Sequence, residues 1–122
     1  MSKKILVADD EPNIVAALEF LLQRHGFEVT VARNGEEALQ LVESQSPDLV
    51  LLDVMMPVRS GYEVCRRIRE RADWSHIKII MLSAKGRDAE VNKGIAVGAD
   101  LYITKPFSTR DLVDKVKGLL VV

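Results

Sequence analysis

Five compact apolar runs punctuate the chain: Ile5 to Ala8, Val29 to Ala32, Leu49 to Leu52, Ile77 to Leu82 and Leu101 to Thr104, several of them rich in β-branched residues. Runs of this length and composition predict β-strands. Between and after them, apolar positions recur at helical spacing. The sets are Ile14, Val15, Leu18, Leu21 and Leu22; Ala38, Leu39 and Val42; Val64, Cys65 and Ile68; Val91 and Ile95; and Leu112, Val113, Val116, Leu119 and Leu120. The order is strand then helix, repeated to the end. Pro12 suits a first helical turn and Gly26 stands where the chain must leave that helix. Asn34-Gly35-Glu36-Glu37 puts acids into another first turn, and Ser108-Thr109-Arg110-Asp111 resembles a capping box with Asp in place of Glu.

Strands separated by helices pair in parallel through right-handed crossovers, so their carboxyl ends all reach one edge of one sheet. The first and third runs are almost wholly apolar and read as central strands. Glu28-Val29-Thr30-Val31 and Leu101-Tyr102-Ile103-Thr104 alternate and read as outer ones. The expected fold is therefore a doubly wound α/β sandwich of three layers around a five-stranded parallel sheet, in the order 2-1-3-4-5. In that order the chain reverses direction between strands 1 and 3, which puts the binding crevice at their carboxyl ends. With no internal repeat, linker or low-complexity segment, residues 1–122 are expected to form a single domain.

Composition narrows the class. The chain has 122 residues, 48% apolar and 29% charged, enough to bury roughly 65–70% of its unfolded surface without staples. A lone cysteine, Cys65, excludes an internal disulfide and points to a reducing, cytoplasmic location. The apolar run after Lys3 and Lys4 is shorter than the roughly 7–15 residues of a signal-peptide core. Leu49 to Val58, interrupted by Asp53 and Pro57, falls short of the ~18 residues of a membrane span. Seventeen basic residues against eighteen acidic ones give a net charge of −1, which offers no field for a nucleic-acid partner.

The candidate chemistry lies at the strand ends. Asp9, Asp10 and Glu11 follow strand 1, Asp53 follows strand 3, Ser83 follows strand 4, and Lys105-Pro106 follows strand 5. Singly, an Asp or Ser between strand and helix is an N-cap more often than a functional group. Jointly they place several carboxylates in one crevice, where two such charges about 4 Å apart repel by ~4 kcal/mol at an effective dielectric of 20. A cation is required, and the candidates are Lys105 and a hard divalent ion for which oxygen ligands suit Mg²⁺ best. Zinc is disfavoured, because Cys65, His25 and His76 fall away from this edge. An aspartate beside a metal, a lysine and a hydroxyl is the equipment of a phosphoryl acceptor, and Asp53, closing the most buried strand, is the best nucleophile. Neither a Walker loop nor GxGxxG is present, so the phosphoryl donor is expected to be another molecule.

Taken together, Lys4 to Ala8 with Asp9-Asp10-Glu11, Leu49-Val50-Leu51-Leu52-Asp53-Val54-Met55-Met56-Pro57, Ser83-Ala84 and Lys105-Pro106-Phe107 resemble a response regulator receiver domain across essentially the whole chain. Chemotaxis receivers are a standard example of the flavodoxin-like order 2-1-3-4-5, so fold and resemblance are not independent lines. The resemblance implies that Asp53 is phosphorylated and that Asp10 binds Mg²⁺ directly. It further implies that Asp9 acts largely through water and that the Met55 backbone carbonyl completes the protein ligands with Asp53. Ser83 matches the switch hydroxyl, Tyr102 the switch aromatic and Lys105 the phosphate-binding lysine, with Lys105-Pro106 expected as a cis peptide. By periodicity alone Tyr102 would be a surface aromatic.

One departure is local: after Pro57, where many relatives carry a Gly and an acidic residue, this chain has Val58, Arg59 and Ser60 before Gly61. The implied partners are a sensor histidine kinase or phosphotransfer protein. The implied output is a protein target or output domain bound through the fourth helical segment, fifth strand and last helix, with no direct contact to nucleic acid or membrane. The output is interaction rather than turnover. Two rivals are weaker. A Mg²⁺-dependent aspartyl-phosphate phosphatase needs a substrate cap that no insertion here could supply, and a flavin carrier would meet repulsion between the first-strand acids and the flavin phosphate. Met55 and Lys85, which flank the site, offer no acceptor to orient an attacking water and imply slow self-dephosphorylation.

Overall fold

A computed structural model of the protein describes residues 2–84, 93 and 96–120. The elements run β1 (Lys4–Ala8), α1 (Pro12–Arg24), β2 (Glu28–Ala32), α2 (Gly35–Gln45), β3 (Leu49–Asp53), α3 (Gly61–Arg69), a short 3₁₀ turn (Ala72–Trp74), β4 (Lys78–Ser83), β5 (Leu101–Thr104) and α4 (Thr109–Leu119). The expected helix around Val91 and Ile95 lies outside the described residues.

All four strand pairings are parallel, and the sheet order is β2-β1-β3-β4-β5, as expected. Local signals act where the sequence places them. Pro12 opens α1, and the side chains of Asn34 and Ser108 accept the Glu37 and Asp111 N–H groups at the starts of α2 and α4. Gly26, at φ 88°, turns the chain out of α1.

Two apolar layers enclose the sheet. On one face Leu6, Val50, Leu52, Ile79 and Met81 meet Ala38 and Val42 of α2 and Val64, Cys65 and Ile68 of α3. On the other, Ile5, Val7, Leu49, Leu51, Ile80 and Leu82 meet Val15, Leu18 and Leu22 of α1 and Leu112 and Val116 of α4. Alternate residues of each strand thus serve opposite layers, which is why β1 and β3 are apolar throughout. Each large aliphatic side chain fully buried here contributes roughly 1.5–3 kcal/mol relative to exposure. The outer strands β2 and β5 carry the half-exposed positions.

At the start of α3 the backbone closes tightly on the end of β3. The Gly61 N–H donates to the Val54 carbonyl at 2.9 Å. A Cβ on Gly61 would fall within 2.9 Å of the Val54 Cα and collide with the Asp53 carbonyl, both backbone groups that cannot swing aside. Gly118, in α4, has open space where its Cβ would be. Gly61→Ala is therefore expected to cost roughly 1–3 kcal/mol of stability. Gly118→Ala should add about 0.5 kcal/mol through helix propensity. Urea unfolding of the two variants checks the pair, and a stabilising Gly61→Ala would contradict the close approach.

Candidate functional site

Four strand ends converge at the carboxyl edge, and the ladder positions each of them. The Asp9 N–H donates to the Ala32 carbonyl at 3.1 Å, carrying the β1–β2 pairing one residue further and holding Asp9 fully buried. Its Oδ1 accepts from the Glu11 N–H at 2.9 Å and its Oδ2 from Lys105 Nζ at 2.9 Å. Asp53 closes β3 and is 4% exposed. Its Oδ1 accepts the Met55 N–H at 3.3 Å and lies 3.6 Å from Lys105 Nζ. Lys105 also reaches Glu11 Oε1 at 3.3 Å. One ammonium therefore spans three carboxylates, while Asp10 next to Asp9 is exposed.

Lys105 can do this because its backbone is tethered at the neighbouring strand end. Its N–H donates to the Ser83 carbonyl at 2.7 Å, and the Lys105–Pro106 peptide is cis, as the resemblance implies. Ser83 is 3% exposed at the end of β4. Tyr102 pairs with Met81 in the β4–β5 ladder, two residues before Thr104 pairs with Ser83. It is not the surface aromatic that alternation alone suggests: it is half-buried against the layer formed by α2 and α3, because β5 packs on that side as well.

Electrostatics follow from this geometry. The Asp53 carboxyl is pushed up to about 6, first by burial and then by the charge of Asp9, against the pull of Lys105 and the Met55 N–H. Burial alone would lower the Lys105 ammonium. Its bond to Asp9, the charges of Asp53 and Asp9 and its bond to Glu11 outweigh that, so it stays protonated.

The acids suit a hard cation. Asp9, Asp10 and Asp53 each offer a carboxylate oxygen, and these oxygens lie within 4.8 Å of one another. Two of the three are buried, and the donors are all oxygen, the chemistry that Mg²⁺ or Ca²⁺ demands. Met55 sits in the loop after Asp53 and is 67% exposed. Lys85 lies outside the described residues.

The residues set aside on sequence grounds are indeed elsewhere. Cys65 is buried in α3, where burial pushes its thiol up to about 11, and the His25 and His76 side chains are exposed away from the acids. Two features escaped the sequence reading. Arg59 bridges Glu36 and Glu63 beside the site loop. At the opposite end of the sheet Arg69 donates to the Gly98 carbonyl at 2.8 Å and to Asp100 at 2.8 Å, pinning α3 to the start of β5. Only the i,i+4 spacing of Arg59 and Glu63 was a readable signal.

Comparison with known proteins agrees with this arrangement. Residues 5–117 match the family model of the response regulator receiver domain. A putative response regulator from Chloroflexus aurantiacus J-10-fl is 35% identical, with 100% of each chain covered and a TM-score of 0.95. The chemotaxis response regulator of Vibrio cholerae is 31% identical over 98% of this chain and 100% of that one, at a TM-score of 0.93. The BeF3-activated DrrB receiver domain is 38% identical over 98% of each chain, at a TM-score of 0.89. Among the described residues no helix is long and apolar enough to cross a membrane.

The raised Asp53 pKa has a signed consequence. Between 3.8 and about 6 the folded protein keeps a proton that the unfolded chain has released. Stability contributed by this carboxyl is full below the lower value and is lost as pH rises through the upper one. Asp53→Asn should therefore raise the unfolding free energy by roughly 1–3 kcal/mol at pH 8 in metal-free buffer, with a smaller gain at pH 4.5. Urea unfolding in chelator at the two pH values checks this, and equal gains at both would contradict it.

Proposed function

The chain belongs to the response regulator receiver family, and from that membership we propose that it is a phosphorylation switch in which Asp53 takes a phosphoryl group from a histidine kinase or phosphotransfer protein. Residues 1–122 act in this reading as one receiver unit. The observation that carries it is the meeting of Asp9, Asp10 and Asp53 within 4.8 Å, with the Lys105 ammonium spread over Asp9, Glu11 and Asp53.

Asp10, Asp53 and the Met55 carbonyl would hold Mg²⁺ directly, with Asp9 acting through water. When bound, the ion neutralises the clustered acids and draws charge from the transferring oxygens. The chain's own residues supply the rest. Asp53 needs no general base above its raised pKa, because its carboxylate is already ionised there. One of its oxygens attacks phosphorus, the O–P bond forms as the donor's P–N bond breaks, and the electron pair leaves with the imidazole. Lys105 donates to the phosphoryl oxygens, and the Ser83 hydroxyl at the next strand end donates from the other side.

The switch in this reading runs through the strand ends. Drawing Ser83 toward Asp53 moves the end of β4, and the half-buried Tyr102 on the paired strand responds. That changes the surface of β5 and α4, where in this reading the target binds. The protein catalyses only its own phosphorylation and dephosphorylation.

With Mg²⁺ and acetyl phosphate the protein should gain one phosphoryl group, and Asp53→Asn should abolish the gain. Intact-mass measurement decides, and full modification of the variant would refute the assignment. Asp10→Asn should weaken Mg²⁺ binding about tenfold or more through loss of a charged ligand, and Asp9→Asn should weaken it less. Calorimetric titration checks the ranking, and equal affinity for wild type and Asp10→Asn would contradict the ligand roles.

A further inference from the structure

The loop that joins β3 to α3 contains a strained turn. Val58 stands at φ 71°, in the left-handed region that β-branched residues avoid because Cβ crowds the backbone. Across it the Arg59 N–H donates to the Pro57 carbonyl at 2.8 Å, which makes residues 57–59 a γ-turn of the rare, strained hand. Val58 is 75% exposed, so its own packing does not hold the turn.

Arg59 does hold it. Its backbone lies so close to Gly35 that a Cβ there would come within 2.9 Å of the Arg59 carbonyl carbon, and the Gly35 N–H reaches the Pro57 carbonyl at 3.4 Å. Its Nε donates to Glu36 in the first turn of α2 at 2.7 Å, and its Nη1 donates to Glu63 in the first turn of α3. That bond holds the Glu63 carboxyl below its ordinary range. Met55 lies inside the segment so fastened. Upstream, its N–H is bonded to Asp53; downstream, the loop ends at Gly61, itself bonded to Val54.

We propose that Arg59 is a positioning residue for the metal site, whose two ion pairs hold the Pro57–Val58–Arg59 turn closed and thereby fix the Met55 backbone where its carbonyl can serve as a ligand. This rests on the reading of Met55 as a ligand given above. Charge alone makes the opposite prediction. Removing the guanidinium uncovers Glu36 and Glu63, and extra negative charge near a cation site strengthens binding.

Arg59→Met is therefore expected to weaken Mg²⁺ binding about threefold to tenfold, the range of two partly exposed ion pairs. Val58→Gly removes the strain at positive φ, so it should keep wild-type affinity, and Val58→Gly with Arg59→Met should recover it. Mg²⁺ affinity measured by calorimetry, with the Met55 amide shift followed in the same titration and the sheet amides confirming the fold, reads all four proteins. Unchanged or tighter binding by Arg59→Met would overturn the proposal, as would a loss that Val58→Gly does not recover. Should Arg59→Met fail to fold, the same comparison is made between Glu36→Gln and its Val58→Gly double variant, with the same signs expected. Absence of Mg²⁺ binding by the wild-type protein is a different result and would refute the metal assignment itself.

Discussion

Asp9 and Asp53 are two carboxylates buried in one crevice, and their mutual repulsion is the constraint around which the carboxyl edge is arranged. At about 4 Å such a pair costs ~4 kcal/mol even at an effective dielectric of 20, before the loss of hydration is counted. Lys105 offsets part of this from a position set by β4, because its backbone is tied to the Ser83 carbonyl and its side chain then has to cross toward β1 and β3. Burial first, and then the repulsion from Asp9 that Lys105 does not offset, appear as the raised pKa of Asp53. A site that repels itself when bare is suited to added positive charge.

The sheet makes that imbalance tolerable. Both faces of β1, β3 and β4 are sealed by helices, so the strand ends cannot splay to separate the acids without exposing aliphatic side chains below them. Core packing is thus the counterweight to the electrostatic cost at the edge. The candidate site is confined to the last residues of the strands and the loops that follow them, outside the packed layers.

The same logic extends to the β3–α3 loop. Two glycines, Gly35 and Gly61, let backbones approach closely enough that the loop is seated against α2 at one point and against the end of β3 at another. Arg59 adds charged ties to both helices across the exposed turn. Strain at Val58 is sustained because its neighbours fix the conformation from both sides.

Much of this was legible in the residues themselves. Among the described residues, strand and helix positions followed from apolar periodicity, since burial on alternating faces or on one stripe leaves a direct mark on the sequence. The strand order followed from parallel crossovers and from which runs were wholly apolar. Asp9, Asp10, Asp53, Ser83 and Lys105 were legible as a group because strand ends in a parallel sheet must meet at one edge. What the sequence could not determine depends on distances between segments far apart in the chain. The half-burial of Tyr102, the spread of Lys105 over three acids, the clamp of Arg59 on Glu36 and the Arg69–Asp100 pin each join elements through space. Only tertiary packing decided these contacts, because periodicity records which face a residue occupies and not which neighbour it meets there.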